Sequence, residues 1–257
     1  MGVEGDPLVG RLRAAGCVFA EDEAELLRTH APDADRLEQW VTRRVAGEPL
    51  EQVLGWAQFR GLRLVVEPGV FVPRTRTGLL VEVAAQRLAP DDVVLDLCCG
   101  VGAIGAALAH EVPGIVVHAV DVDPAAVRCA ARNLGAAGTA YLGDLDEPLP
   151  RALRGTVAVV VANAPYVPTA EIARMPPEAR DHEARAALDG GSDGLDVQRR
   201  VVTVAARWLR PGGTLVVETG EPQETASLAA FAAAGFTAHV EHDDEIGGTA
   251  VVGVLGT

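Results

Sequence analysis

Carboxylates that end apolar runs, glycines spaced to bring backbone close to a ligand, and an amide beside an aromatic ring are the residue types here that could do chemistry. The stretch Val93-Val94-Leu95-Asp96-Leu97-Cys98-Cys99-Gly100-Val101-Gly102-Ala103-Ile104-Gly105 passes from an apolar run into glycines and then into Ala-Ala-Leu-Ala, the pattern of a buried strand, a tight turn and a helix start. In an α/β protein that turn is where a ligand sits. Gly100, Gly102 and Gly105 spell G-x-G-x-x-G, so a nicotinamide or flavin dinucleotide is the first ligand to weigh, although helix-opening turns also need glycines for backbone reasons. Asp96 stands four residues before Gly100, where a dinucleotide fold places an apolar residue. A carboxylate there suits a nucleotide-like ligand carrying a cationic amino or sulfonium group. Asp121 closes a second apolar run about 20 residues past the turn, the place from which an acid holds both hydroxyls of a ribose. Asp144 follows a third run, where it can accept from an adenine amino group while Leu145 packs on the ring. A fourth run, Val157 to Ala162, opens into Asn163-Ala164-Pro165-Tyr166-Val167-Pro168. An asparagine oxygen and a backbone carbonyl can grip an N–H₂ group, and a tyrosine ring can stack over a planar substrate.

The elements that must position these groups can be read on either side of them. Residues 1 to about 55 carry helical periodicity: Leu8, Leu12 and Ala15, then Ala24 and Leu27, then Leu37, Trp40, Val41 and Val45, with Pro32-Asp33 as break and cap. Gly47 to Gly55 is a turn-rich hinge, and Phe59 to Val66 alternates like a hairpin. In Val70-Phe71-Val72-Pro73-Arg74-Thr75-Arg76-Thr77 an extended segment is stopped by proline and a helix begins, so Arg74 and Thr77 lie at a helix N-terminus suited to an anion or a ligand carboxylate. A solvated arginine and a helix cap would read the same. Met175 to Glu183 is polar and broken by proline, a mobile loop over the substrate side, in which His182 as a base has no support. His239, His242, Asp243 and Asp244 sit between strand-like runs and read as a polar hairpin tip, not a metal site.

Composition narrows the classes. A chain of 257 residues, 49% of them hydrophobic, can bury a sizeable core as one large or two small domains. The net charge of −14 argues against a protein that coats nucleic acid through phosphate contacts. All 22 basic residues are arginine, which we take as codon bias without functional weight. No run of about 18 apolar residues and no charged-then-apolar leader is present, so the expectation is a soluble cytoplasmic protein with no membrane partner. Cys17, Cys98, Cys99 and Cys129 lack paired spacing and read as reduced thiols, without redox or zinc chemistry.

Asp96-x-x-x-Gly100-x-Gly102 resembles the first motif of the methyltransferases that use S-adenosylmethionine, and Asn163-Ala164-Pro165-Tyr166 resembles the Asn-Pro-Pro-Tyr motif of class I enzymes that methylate exocyclic or amide nitrogen. Among these the chain is similar to the glutamine methyltransferases that modify the Gly-Gly-Gln loop of peptide chain release factors. The likeness runs through Gly47-Glu48-Pro49-Leu50, Phe59-Arg60-Gly61-Leu62, Val72-Pro73-Arg74, the glycine turn, Gly143-Asp144-Leu145 and Ala187 to Leu195, then Leu209 to Leu215 and Glu218-Thr219-Gly220.

The resemblance implies a Rossmann-like α/β fold. A helical substrate-recognition domain would span residues 1–55, a β-hairpin linker 56–75, and a methyltransferase domain 76–257, whose seven-stranded, mostly parallel sheet would end in an antiparallel strand around Thr249 to Leu255. It implies S-adenosylmethionine as cofactor, lined by Cys98, Cys99, Gly100, Val101 and Gly102 with Asp96, Asp121, Asp144, Leu145 and Asn163. Asn163 to Tyr166 would hold the glutamine as the catalytic motif, and Phe71, Pro73 and Arg74 would lie at the substrate or cofactor edge. The partner implied is a protein, a release factor in the first instance. Three departures mark a divergent paralogue: Ala164 replaces the first proline of the motif, Gly78 replaces an acid after Thr77, and Cys98-Cys99 replaces small residues at the turn. Ala164 keeps the carbonyl that does the work and loses the rigidity of the ring. The rival readings are a nucleic-acid or small-molecule amine methyltransferase, which shares the motif, and a dinucleotide-dependent oxidoreductase, which leaves Asp96 and Asn163 to Tyr166 without a purpose.

Overall fold

The structure is a computed structural model and describes residues 6–256, so positions 1–5 of the expected helical domain and 257 of the catalytic one lie outside the described residues. Helices α1 (Pro7–Ala14), α2 (Ala20–His30), α3 (Ala34–Val45) and α4 (Leu50–Leu54) open the chain. Asp6 and Asp33 cap α1 and α3 by accepting from Leu8 N and Arg36 N at 2.9 and 2.7 Å. Leu12, Cys17, Ala20, Ala24, Leu27, Val41 and Val53 form the buried seam of this unit. Two expected stripe residues face solvent instead. Ala15 lies just past the last helical residue of α1, and Val45, 39% exposed, is the last residue of α3, so neither falls where the helix meets its neighbours.

A hairpin follows, β1 (Trp56–Phe59) with β2 (Leu62–Val65), paired from Trp56↔Val65 to Phe59↔Leu62. Arg60 and Gly61, at φ 45° and 79°, make the two-residue turn whose left-handed backbone matches the twist of the strands. The alternating run from Phe59 therefore supplies the turn and second strand, while the first strand begins earlier, at Trp56.

Strands β3 (Val93–Leu97), β4 (Val116–Asp121), β5 (Gly138–Leu142), β6 (Val157–Ala162), β7 (Leu209–Glu218), β8 (Phe236–Asp243) and β9 (Gly248–Leu255) form one sheet in the order β5-β4-β3-β6-β7-β9-β8. Pairings from β5 to β7 are parallel, and β9 runs antiparallel to both β7 and β8. The antiparallel strand is thus last in the chain but sits inside the sheet. Helices α5 (Gly78–Ala85), α6 (Ala103–Glu111) and α7 (Pro124–Leu134) cover one face with the hairpin, and α9 (Asp196–Trp208) and α10 (Glu224–Ala233) cover the other; α8 (Pro177–His182) lies in the β6-to-β7 crossover. Burial on both faces explains the continuous apolar runs: β6 sends Val159 and Val161 to one layer and Val160 and Ala162 to the other. The strand order reverses at β3, which opens a crevice at the carboxyl ends of β3, β4 and β6. His239, His242, Asp243 and Asp244 lie along β8 and the β8–β9 turn, and no group of three or more metal-ligating side chains occurs among the described residues.

Candidate active site

The crevice holds a cavity built from the ends of β3, β4, β5 and β6 and closed on its outer side by residues of the β6-to-β7 crossover. Its wall includes Phe71, Arg74, Cys98, Gly100, Asp121, Asp144, Leu145 and Asn163 to Tyr166. Motifs more than 90 residues apart therefore converge on one site.

Asp121 ends β4 with Oδ2 accepting from Gly100 N and Oδ1 from Asp123 N, at 2.8 and 2.9 Å. Each oxygen keeps a second lone pair for a hydroxyl pair of a ligand. Burial raises its pKa, while the two backbone N–H groups oppose the shift. Asp144 lines the same wall with Oδ2 on Arg200 at 2.7 Å, and Leu145 beside it is buried with φ 49°.

Asp96, Cys99, Val101, Gly102 and Pro73 do not line the cavity. Asp96 is fully buried, points under α6 and accepts from Gly105 N at 2.9 Å through Oδ2, while Oδ1 has no partner. Burial pushes its pKa up to about 8, against the pull of that N–H. Gly105 is needed for this approach, because a Cβ there would meet Val117 Cγ1 at 2.8 Å and Asp96 Oδ2 at 3.1 Å. The third glycine thus sets the distance between helix and sheet. The Cys98 and Cys99 thiols are pushed well above their ordinary values, first by burial and then by the surrounding carboxylates, which leaves them neutral and poor nucleophiles.

Asn163 leaves the end of β6 with Nδ2 donating to Thr77 Oγ1 at 3.2 Å. Its Oδ1 and the Ala164 carbonyl accept no hydrogen bond from any described residue. The Tyr166 ring lines the cavity, and its hydroxyl donates to Glu218 Oε1 at 3.1 Å while accepting from Arg76 Nη2 at 2.7 Å. Burial and the Glu218 charge push that phenol up to about 12, so it stays protonated. The motif backbone is held from outside: Gln223 Nε2 donates to Tyr166 O at 2.9 Å, and Val167 exchanges bonds with Leu188 O and Gly190 N. Gly194 carries φ 79°, and a Cβ there would lie 2.3 Å from Tyr166 O.

The crossover segment is tied down at several points. Glu183 Oε1 accepts from Arg74 Nη2 at 2.6 Å and from Val72 N at 3.1 Å. Gln52 reaches from α4 to His182 O, and Arg44 of α3 pairs with both Glu23 and Glu178. Met175, Ala184, Ala186, Ala187 and Leu188 supply the cavity wall here, whereas His182 is outside it. The sequence placed Thr77 with Arg74 at a helix N-terminus, as an anion site or a cap; in the structure Thr77 makes no side-chain cap bond, its hydroxyl donates to Glu218 and Arg74 pairs with Glu183, while Arg76 and Glu218 were not assigned to the site. The available signal was Glu218 at the end of Leu215-Val216-Val217, the same acid-after-apolar-run pattern that picked out Asp121.

Residues 61–193 match the family model described as the methyltransferase small domain. The release factor glutamine methyltransferase of Geobacter sulfurreducens is 42% identical over 83% of this chain and 75% of its own length, and that of Streptomyces coelicolor is 46% identical over 83% and 82%. The 4-amino-L-phenylalanine/4-methylamino-L-phenylalanine methyltransferase of Streptomyces pristinaespiralis is 35% identical over 91% of this chain and 88% of its own. Among solved structures, a methyltransferase from Pyrococcus furiosus superposes with a TM-score of 0.56 at 17% identity, over 84% of this chain and 98% of that one, a likeness of fold. A T. thermophilus 16S rRNA methyltransferase solved with AdoMet and guanosine gives 0.55 at 25% identity, over 78% and 49%. With this degree of identity over most of its length, the chain belongs to the release factor glutamine methyltransferase family.

Proposed function

We propose that this chain transfers a methyl group from S-adenosylmethionine to the side-chain amide nitrogen of a protein glutamine, in the Gly-Gly-Gln loop of a peptide chain release factor. The observation that carries the reading is the pair of unspent acceptors, Asn163 Oδ1 and the Ala164 carbonyl, on two consecutive residues of the cavity wall. Two acceptors at adjacent positions match the two hydrogens of one N–H₂ group.

The residues present fit the cofactor: Asp121 keeps lone pairs for a ribose diol, Leu145 offers an apolar plate, and Gly100 brings backbone to the wall without a side chain. When bound, S-adenosylmethionine supplies an electrophilic methyl on a sulfonium. The protein's part is positioning. Asn163 and Ala164 accept both N–H hydrogens, which aims the nitrogen lone pair away from them and stabilises positive charge on nitrogen as it develops. The Tyr166 ring, fixed through its hydroxyl, presents an apolar face to the planar amide. No side chain is required to take the proton first, since it leaves after charge has built up on nitrogen.

The helical domain is the substrate-recognition unit in this reading, supported by its exposed Val18 and Phe19, 82% and 68% accessible in the α1–α2 connection. No helix among the described residues is long and apolar enough to cross a membrane, and the charge of −14 disfavours a nucleic-acid partner. A second reading, a free aromatic amine as acceptor, is favoured by the similarity to the S. pristinaespiralis enzyme over nearly the whole chain. Offering tritiated S-adenosylmethionine with a Gly-Gly-Gln peptide or with free 4-aminophenylalanine separates the two. Label on the peptide alone supports the glutamine reading, and label on the amino acid alone replaces it.

A further inference from the structure

The Asn163 amide could face the cavity with either end, and the two choices select opposite substrates. With Oδ1 outward it accepts from an N–H₂ group, and with Nδ2 outward it donates to a carbonyl or carboxylate. A buried chain of hydrogen bonds decides between them. Glu218 and Thr77 are 1% and 3% exposed, and Thr77 Oγ1 lies 2.6 Å from Glu218 Oε2. The Glu218 carboxylate is acceptor-only, so the single Thr77 proton is committed to it. Thr77 Oγ1 can then only accept from Asn163, which places Nδ2 on the threonine and leaves Oδ1 to the cavity. The same carboxylate fixes Tyr166: Oε1 accepts from Arg76 Nε at 3.0 Å and from the Tyr166 hydroxyl at 3.1 Å, and Arg76 Nη2 occupies a lone pair of that hydroxyl.

We infer that Glu218 and Thr77 are positioning residues that set the polarity of the nitrogen-binding site, making it select N–H₂ donors and reject carboxylates. This deepens the glutamine reading and rests on it for the identity of the substrate, although the amide orientation concerns this chain's own side chains. In Glu218→Gln the new amide can donate to Thr77, whose proton is then free to turn to Asn163 and flip its amide.

The test uses the full chain saturated with S-adenosylmethionine, as wild type, Thr77→Val, Thr77→Ser and Glu218→Gln. The side-chain N–H₂ signals of Asn163, assigned by their loss in Asn163→Asp, are followed by ¹⁵N–¹H correlation. Thr77→Val removes the acceptor without changing side-chain shape, so it moves one of the two proton signals upfield, and Thr77→Ser restores it. Unmoved signals in Thr77→Val overturn the inference whatever the substrate is. In parallel, binding of Gly-Gly-Gln and Gly-Gly-Glu peptides is compared. The wild-type preference for glutamine falls about tenfold or more in Thr77→Val and Glu218→Gln, at unchanged S-adenosylmethionine affinity, and is kept in Thr77→Ser. A preference that survives both substitutions also overturns the inference. A wild-type enzyme that labels only an aromatic amine removes the glutamine reading while the Asn163 signals still test the orientation. Should Glu218→Gln fail to fold, the Thr77 pair carries the test alone.

Discussion

A primary amide nitrogen is a poor nucleophile because its lone pair is shared with the carbonyl, so a site that methylates it must hold both hydrogens and nothing else. Asn163 and Ala164 offer two acceptors at one point of the wall, and the Asn163 side chain is the removable one. Asn163→Ala is expected to lower kcat about 10²–10³-fold, the usual cost of deleting one preorganised polar contact to a developing charge, with S-adenosylmethionine affinity nearly unchanged. Single-turnover rates against calorimetric cofactor titration check this, and parallel loss of both would reassign Asn163 to cofactor binding. Asp96 has a different signature. Its folded-state pKa, about 8, lies above that of an unfolded aspartate, so below the unfolded value the group is neutral in both states and costs nothing. As pH rises from about 4 towards 8 the unfolded chain ionises first, and stability is progressively lost. Asp96→Asn cannot ionise, so its Tm should fall less than that of wild type between pH 6 and pH 9 in thermal scans of the ligand-free protein. The places of Asn163, Tyr166 and Asp121 on the cavity wall were legible because each follows an apolar run at the carboxyl end of a buried strand. Whether Asp96 points out to the crevice or sideways under α6 was not legible, because a strand's sequence does not record which neighbour crosses over it.

Elements, more than side chains, carry the placement of the motif. The apolar runs and the glycine turn announced β3, β4 and β6 directly, since a doubly covered parallel strand tolerates little else, whereas the edge strand β5, without a buried residue, was legible only at its end in Tyr141-Leu142. The loop that braces the motif left no such signal. Gly190, Gly191 and Gly194 look like ordinary turn residues in sequence, and only the structure shows that a Cβ would run into the Pro165 and Tyr166 carbonyls at Gly190 and Gly194 and into the Asp196 side chain at Gly191. Gly194→Ala adds a Cβ at a left-handed φ and against Tyr166 O. The strained backbone alone costs about 1–3 kcal/mol, or roughly 2–4 °C of Tm per kcal/mol in a chain of this size. The outcome expected is a lowered Tm together with a kcat loss that exceeds the loss of folded protein, measured at a temperature where the variant is fully folded. A variant with wild-type kcat per folded molecule would show that the motif does not depend on this brace.

At the scale of the whole molecule, the helical domain and the cavity wall are mechanically joined. Arg44, 5% exposed on α3, pairs with Glu23 inside its own domain and with Glu178 on α8 of the crossover. Gln52 adds a second tie through His182 O, and Arg74 of the linker holds the same crossover through Glu183. A periodicity reading finds α1 to α3 and the polar crossover separately, but it cannot find the arginine that links them, because charged residues look alike until burial distinguishes them. Glu178 is half exposed, so Glu178→Gln should change stability by less than about 1 kcal/mol. It should nonetheless raise KM for a protein substrate several-fold by loosening the cavity wall, with kcat little changed. Steady-state kinetics with a release factor check this, and an unchanged KM would uncouple the helical domain from the cavity wall.

The most direct measurement incubates the purified chain with labelled S-adenosylmethionine and its host's release factors, then maps the labelled peptide by mass spectrometry. The expected result is one methyl group on the glutamine of the Gly-Gly-Gln loop, absent with Asn163→Ala. Cofactor binding without any label on a release factor, or label confined to a free aromatic amine, would contradict the assignment of a protein glutamine as the acceptor.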